Sequence, residues 1–341
     1  MSDRPTLRTV AAEAGVSHQT VSRVINGDPT VTEPIRDRVL SAMRALGYRP
    51  SAGARALASG RTEVVGVVLP HNPGFAFSND HLIRLVQGAD QELTTRGYGL
   101  LLSTREVPDD PASAYRRFVQ RRQVDGLLVE AGAGGDSLRA LRTADYPTVV
   151  IGYTAEDFTC VHPDDEGGAY AVAQHLLALG HRRIAVIDGP PESRLAMSAR
   201  MRGLRRAFAD ARREVPTDLL EQGDFTAGSG YAAAERLLAR ADPPTAVFAF
   251  NDGMALGAQR RLRERGRDMP GEVSVAGFDD TEAADLVDPS LTSVSLHSVD
   301  VGRRAAQILL DLLDGRPPAQ RENIMPSTLK VRASTAPPAA G

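Results

Sequence analysis

"TLRTVAAEAGVSHQTVSRVINGDPTVTEPIRDRVLSAMRALGYRP" occupies residues 6–50. Three amphipathic segments share it, parted by "AGVS" (14–17) and "NGDPT" (26–30). In residues 6–13, Thr6 stands where an N-cap belongs, and Leu7, Val10, Ala11 and Ala14 recur at helical spacing. Gly15 supplies the positive φ of a tight turn. Ser17 caps a second helix, "HQTVSRVIN" (18–26), whose Val21, Val24 and Ile25 face inward. Gly27, Asp28 and Pro29 end it. Thr32 caps a third helix, "EPIRDRVLSAMRALG" (33–47), with Pro34 in its first turn and Ile35, Val39, Ala42, Met43 and Leu46 on its apolar face. Three short helices, the first two joined by a glycine turn, predict an all-α helix-turn-helix headpiece.

The charge is uneven. The chain carries a net −3 over 341 residues, but residues 1–61 hold nine arginines against five acids, leaving +4 there and −7 on the remainder. A basic module on an acidic body points to a polyanion partner for the module. On the second helix, His18, Gln19, Ser22 and Arg23 lie on the exposed side. Glutamine suits adenine and arginine suits guanine in the major groove. Ser17 and Thr20 are short donors suited to phosphates.

Residues 50–61 read as a linker with a short helix over 51–58. From Glu63 the pattern alternates strands with helices. Strands fall at 64–69, 98–102, 124–129, 147–152, 182–187, 245–250 and 272–278. Helices fall near 80–95, 112–122, 166–179, 198–212, 227–240, 252–265 and 299–314. Such alternation predicts parallel sheets covered by helices. Its length favours two α/β lobes over one. The tail "STAPPAAG" (334–341) reads as disordered.

One cysteine, Cys160, forms no disulfide alone and suits a reducing compartment. No signal-peptide segment, long apolar run, zinc-ligand spacing, phosphate loop or Gly-x-Ser-x-Gly elbow stands in the sequence. A cytoplasmic, nucleoid-associated protein without cofactor, metal, membrane contact or enzymatic activity is the expectation.

Together, "AGVS…TVSRVING" and "LGYRP" resemble the headpiece of the LacI/GalR family of bacterial transcription regulators. Ser51 stands where that family usually has Asn, and the pair His18–Gln19 is lactose-repressor-like. "HLLALGHRRIAVIDGP" (175–190), "NDGMALGA" (251–258), "VSVAGFDDTE" (273–282) and "PSLTSV" (289–294) extend the resemblance across the core. It implies that His18, Gln19 and Arg23 read bases, and that Leu7, Ser17, Thr20, Ser22 and Asn26 touch the DNA backbone or groove. It implies a hinge helix in which Ala54 permits entry to the minor groove and Leu57 wedges a base step. Gly53 departs from that helix.

The resemblance further implies a core similar to periplasmic sugar-binding proteins, closing two lobes on a small molecule. Arg200, Asn251 and Asp279 would hold hydroxyls there. Phe225, with Phe75 and Phe77 from the first βα loop, would flank a sugar ring. Leu296 falls where many relatives have a ligand-contacting Gln. Each has a plainer reading: Asn251 and Asp279 as helix caps, Arg200 in a structural ion pair, Phe225 as core. The expected organisation is 1–49 headpiece, 50–61 hinge, 62–335 two-lobed effector-binding and dimerisation core, and 336–341 disordered tail. The expected function is a homodimeric repressor on palindromic, double-stranded operator DNA, controlled by a sugar or glycoside. The rivals are an enzyme on a sugar-binding α/β fold, a sugar sensor without DNA function and an architectural DNA protein without a ligand.

Overall fold

The computed structural model describes residues 5–25, 27–48, 60–104, 113–131 and 135–339. Asn26, Ala54, Leu57 and most of the expected hinge lie outside them.

The headpiece comprises helices Leu7–Ala14, His18–Ile25 and Glu33–Leu46. Val10, Val21, Val24 and Val39 meet in its core. Thr6 and Thr9 form a reciprocal capping box, and Gly15 closes the first helix at φ 63°. Ser17 Oγ accepts from the Thr20 N–H at 3.1 Å, as its expected cap role requires. Thr32 differs. It sits at the N-cap position of the third helix with no side-chain capping bond.

The core holds twelve strands among the described residues. They are β1 (Val64–Leu69), β2 (Gly99–Thr104), β3 (Gly126–Glu130), β4 (Thr148–Ile151), β5 (Thr159–Pro163), β6 (Ile184–Asp188), β7 (Leu220–Gln222), β8 (Ala246–Ala249), β9 (Ser274–Ala276), β10 (Ser293–Ser295), β11 (Glu322–Met325) and β12 (Thr328–Lys330). The first lobe is a parallel sheet in the order β2-β1-β3-β4-β5-β11, the second a parallel sheet β7-β6-β8-β9. β10 and β12 pair antiparallel, Val294 opposite Leu329.

Near-continuous apolar runs such as "VVGVVL" are what strands covered on both faces require. Helices Asp80–Thr95 and Ser298–Leu313 cover one face of the first sheet, with Leu85, Val301 and Leu309 packed against Val65 and Val67. Helices Asp165–Ala178, Arg194–Asp210, Ala227–Leu238 and Asp252–Glu264 surround the second. The chain crosses between lobes after β5, after β10 and between β11 and β12. Among the described residues, no helix is long and apolar enough to cross a membrane.

The expected disorder of residues 336–341 does not hold at Ala336. Its carbonyl accepts from His181 Nε2 at 2.9 Å and its N–H donates to Ser274 Oγ at 3.0 Å. Just before it, Ser334 is fully buried and donates to Val275 O at 2.6 Å. A tail without a large apolar side chain is pinned here by hydrogen bonds. Residues 340 and 341 lie outside the described residues.

Candidate functional site

Two sites emerge, one on the headpiece and one between the lobes. On helix His18–Ile25, Val21 and Val24 point into the headpiece core. Ser17, His18, Gln19 and Arg23 are exposed, while Thr20 and Ser22 are half-buried. The exposed face of this helix therefore carries His18, Gln19 and Arg23, the three residues expected to read bases. The Ser17 and Thr20 hydroxyls lie 2.9 Å apart and bond to each other. Leu7 is half-buried against the headpiece core.

The local charge is partly structural. Arg38 donates to Ala14 O at 2.7 Å and Gly15 O at 3.1 Å, closing the first helix from the third. Arg36 donates to Asp28 O at 2.9 Å. Both guanidinia thus spend donors on the headpiece's own backbone, so part of the +4 of this segment serves the fold. Arg23 is exposed but bonded, its Nε donating to Asp28 Oδ2 at 2.8 Å.

In open α/β sheets, ligands gather beyond the carboxyl ends of strands. Here Glu130 ends β3, Asn251 follows β8 and Asp279 follows β9. They face two adjoining cavities of about 480 Å³ and 440 Å³. Phe75, Phe225, Asn251 and Asp279 line the smaller, and Arg200 lines the larger with Glu130, Tyr153 and Asp165. His81 lines both.

Asp279 is the group the fold works hardest to place. Its backbone holds φ 114°, a strained value for a side-chain-bearing residue. The loop is pinned from below by Asp252, which is fully buried. Asp252 accepts from Thr281 N at 2.7 Å, Thr281 Oγ1 at 3.0 Å and Ser293 Oγ at 2.5 Å. Burial pushes the Asp252 carboxyl up to about 6 against these bonds. The Asp279 carboxylate itself has no side-chain partner among the described residues. Burial pushes its pKa well above the ordinary value, and Arg200 opposes this.

Arg200 carries the ion pair that was its plainer reading. Nε donates to Asp165 Oδ1 at 2.7 Å, Nη1 donates to Phe250 O, and the guanidinium lies 3.9 Å over the Phe278 ring. A guanidinium buried at 7% exposure needs such partners. Nη2 has no partner among the described residues. Asn251 likewise fulfils its cap role. Its Oδ1 accepts from Met254 N at 2.8 Å and its Nδ2 donates to Phe225 O at 2.9 Å. Both remain on the cavity walls, so scaffold and lining roles coexist.

Phe77 is a correction. The expected loop is a short helix, Pro73–Ser78, and residues two apart on a helix point in nearly opposite directions. With Phe75 facing the cavity, Phe77 faces solvent at 58% exposure. Leu296 is buried in the second lobe's core and lines neither cavity.

Sequence reasoning missed His81, Asp165, Tyr153 and Glu130. His81 Nδ1 lies 2.7 Å from Ser298 Oγ, and burial lowers its pKa to about 4. Asp165 carried a legible signal, an acid at a strand-to-helix junction in "HPDDEGG". A lone histidine inside helix Asp80–Thr95 carried none.

A helix-turn-helix headpiece ahead of two lobes around a polar cleft is the arrangement the signature motifs implied. A model of bacterial regulatory proteins of the lacI family matches residues 6–51, and a periplasmic binding protein-like domain matches residues 173–335. The transcriptional regulator CelR of Thermobifida fusca is 37% identical over 97% of this chain and 98% of its own length. The chain belongs to the LacI family of bacterial regulatory proteins. Another relative, catabolite control protein A of Priestia megaterium, is 32% identical over 97% of this chain and 99% of its own. A lac repressor dimer bound to operator and an anti-inducer superposes at a TM-score of 0.85, with 28% identity, covering 98% of this chain and 100% of that one. A CelR–cellobiose complex superposes at 0.73, with 35% identity, covering 97% and 100%. These LacI-family proteins are transcriptional regulators, and the chain shares their headpiece and core end to end.

Proposed function

We propose that this LacI-family regulator is a dimeric repressor of a palindromic operator, controlled by a saccharide or glycoside held between its lobes. The observation that carries the effector reading is Asp279, an unpartnered carboxylate fixed by a strained loop in a cavity walled by Phe75 and Phe225. A carboxylate accepts from sugar hydroxyls, and aromatic rings take the apolar face of a pyranose. Two adjoining cavities meeting at His81 favour a ligand of two rings over one. The cellobiose bound by a CelR relative is of that length. In the headpiece, the exposed face of Ser17, His18, Gln19 and Arg23 supports major-groove reading, with Leu57 from the hinge as the minor-groove wedge.

The test has two arms. Calorimetric titration with cellobiose, other disaccharides and monosaccharides should show a disaccharide binding more tightly than its monomer, with the heat abolished by Asp279→Ala. Selection from a random duplex library, by wild type and Arg23→Ala, should enrich an inverted repeat whose outer-base preference the variant loses. Tight binding of a nucleobase, with no saccharide binding, overturns the effector reading. Failure to enrich any sequence, with and without the bound effector, overturns the DNA reading.

A further inference from the structure

We infer that Asp28 and Thr30, outside the recognition helix, are positioning residues that orient Arg23 for bidentate recognition of a guanine. The inference rests on the reading of Arg23 as a base contact. A guanidinium has two usable edges: one formed by Nε and the near hydrogen of Nη2, the other by Nη1 and the far hydrogen of Nη2. Asp28 and Thr30 occupy the first. Arg23 Nε donates to Asp28 Oδ2 at 2.8 Å and Nη2 donates to Thr30 Oγ1. No partner among the described residues takes Nη1. The free edge is a parallel two-donor fork, which the O6 and N7 acceptors of guanine match.

The holder is itself rigid. Thr30 N and Oγ1 both donate to Asp28 Oδ1, at 2.8 Å and 2.6 Å. The Asp28 N–H donates to Arg23 O at 3.0 Å, and Arg36 of the third helix grips Asp28 O at 2.9 Å. The Asp28 carboxyl is therefore held ionised, first by the Thr30 hydroxyl and then by Arg23. Arginine carries many rotamers, and a fork already set in one of them loses less freedom when it meets a base. The Arg23 side chain stays 53% exposed within this grip, so the fork is accessible.

The opposite role for the same contacts is a clasp that withholds Arg23 from DNA. The two roles predict opposite results. The full-length protein is tested by competition between its selected consensus duplex and the duplex altered at each guanine, for wild type, Arg23→Ala, Asp28→Ala, Thr30→Val and Arg23→Ala/Asp28→Ala. Positioning predicts that Asp28→Ala loses about 10-fold of discrimination at the one guanine whose preference Arg23→Ala abolishes. Thr30→Val loses about 3-fold there, and Asp28→Ala adds nothing once Arg23 is gone. Binding to nonspecific duplex does not weaken, because Asp28 is an anion and contacts no phosphate. A merely structural role would lower affinity at every position together, and thermal melts by circular dichroism report it separately. Unchanged discrimination in both Asp28→Ala and Thr30→Val, or tighter consensus binding with discrimination intact, overturns the proposal while leaving Arg23 as a reader. An Arg23→Ala protein that keeps every base preference overturns both.

Discussion

Under the proposed function, Asp279 trades stability for ligand binding. Its half-buried carboxylate has no side-chain partner among the described residues, on a backbone held at φ 114°, and desolvation drives its pKa upward. A desolvated, unpaired charge opposes folding at neutral pH. Asp279→Asn should therefore stabilise the ligand-free protein by about 1 kcal/mol, read as a higher Tm. The same change should weaken saccharide binding roughly 10- to 100-fold, since hydrogen bonds to a charged acceptor contribute about 1.5–3 kcal/mol each. A variant that binds as tightly as wild type would remove Asp279 from the site. His81 titrates with the opposite sense. Burial lowers its pKa to about 4 from 6.5. The unfolded chain takes up the proton as pH falls through about 6.5, while the folded chain does not until about 4. His81 thus lowers stability progressively over that window and contributes no pH dependence above pH 7. Melting wild type and His81→Gln from pH 7.5 to 4.5 should show wild type losing stability relative to the variant below pH 6.5. Parallel curves would mean that the imidazole is solvated or paired.

Elements are joined here by close helix contacts that leave no room for a methyl group. A Cβ on Gly302 would stand 1.9 Å from Leu85 O, and one on Gly88 1.8 Å from Val299 O. Helices Asp80–Thr95 and Ser298–Leu313 thus approach backbone to backbone. They meet beneath His81 and its partner Ser298, at the wall of the cleft. Gly302→Ala must separate two helices rather than rotate a side chain. It should cost about 3 kcal/mol or more in urea unfolding and widen the cleft enough to weaken effector binding. A cost below about 0.5 kcal/mol would show that the pair slides freely. Legibility in the sequence follows the same physics. Helices at 80–95 and 252–264 were readable because a long apolar stripe at helical period has few alternatives. The strands β1, β3, β6 and β8 were readable as buried apolar runs. β7, β10 and β12 are three residues each, and β11 is an exposed edge strand reading "ENIM", so none carries a period. The short helix Pro73–Ser78 escaped for want of length, which misled the reading of Phe77. In the cleft, residues within conspicuous motifs were found. His81 and Glu130 were not, because only the tertiary fold brings them to the same cavities.

At the scale of the whole molecule, the question is how a ligand in the cleft reaches the headpiece. The last described residues of the connector are tied to the first lobe. Arg61 donates to Leu313 O at 2.6 Å and pairs with Asp314 at 3.2 Å, both at the end of helix Ser298–Leu313. Thr62 N and Glu63 N donate to Asp125 at 2.6 Å and 2.9 Å. Helix Ser298–Leu313 begins at the His81 partner Ser298 and ends at the Arg61 anchor, so one rigid rod spans from cleft to connector. Arg84, on the helix packed against it, donates to Asp280 O across the cleft at 3.3 Å. A ligand that moves the Asp279–Asp280 loop thereby bears on both helices. An effector can shift the DNA equilibrium only by its differential affinity for the two states, and the shift is reciprocal. A saturating disaccharide should change operator affinity by about 5- to 150-fold, and saturating operator duplex should change disaccharide affinity by the same factor. Asp279→Ala should erase the first effect while leaving ligand-free operator affinity within about 2-fold, because the headpiece is untouched. Arg61→Ala should keep saccharide binding while reducing the coupling between the two. Fluorescence anisotropy on labelled operator, paired with calorimetry on the same proteins, measures all four quantities. Equal coupling in wild type and Arg61→Ala would show that the signal bypasses this rod.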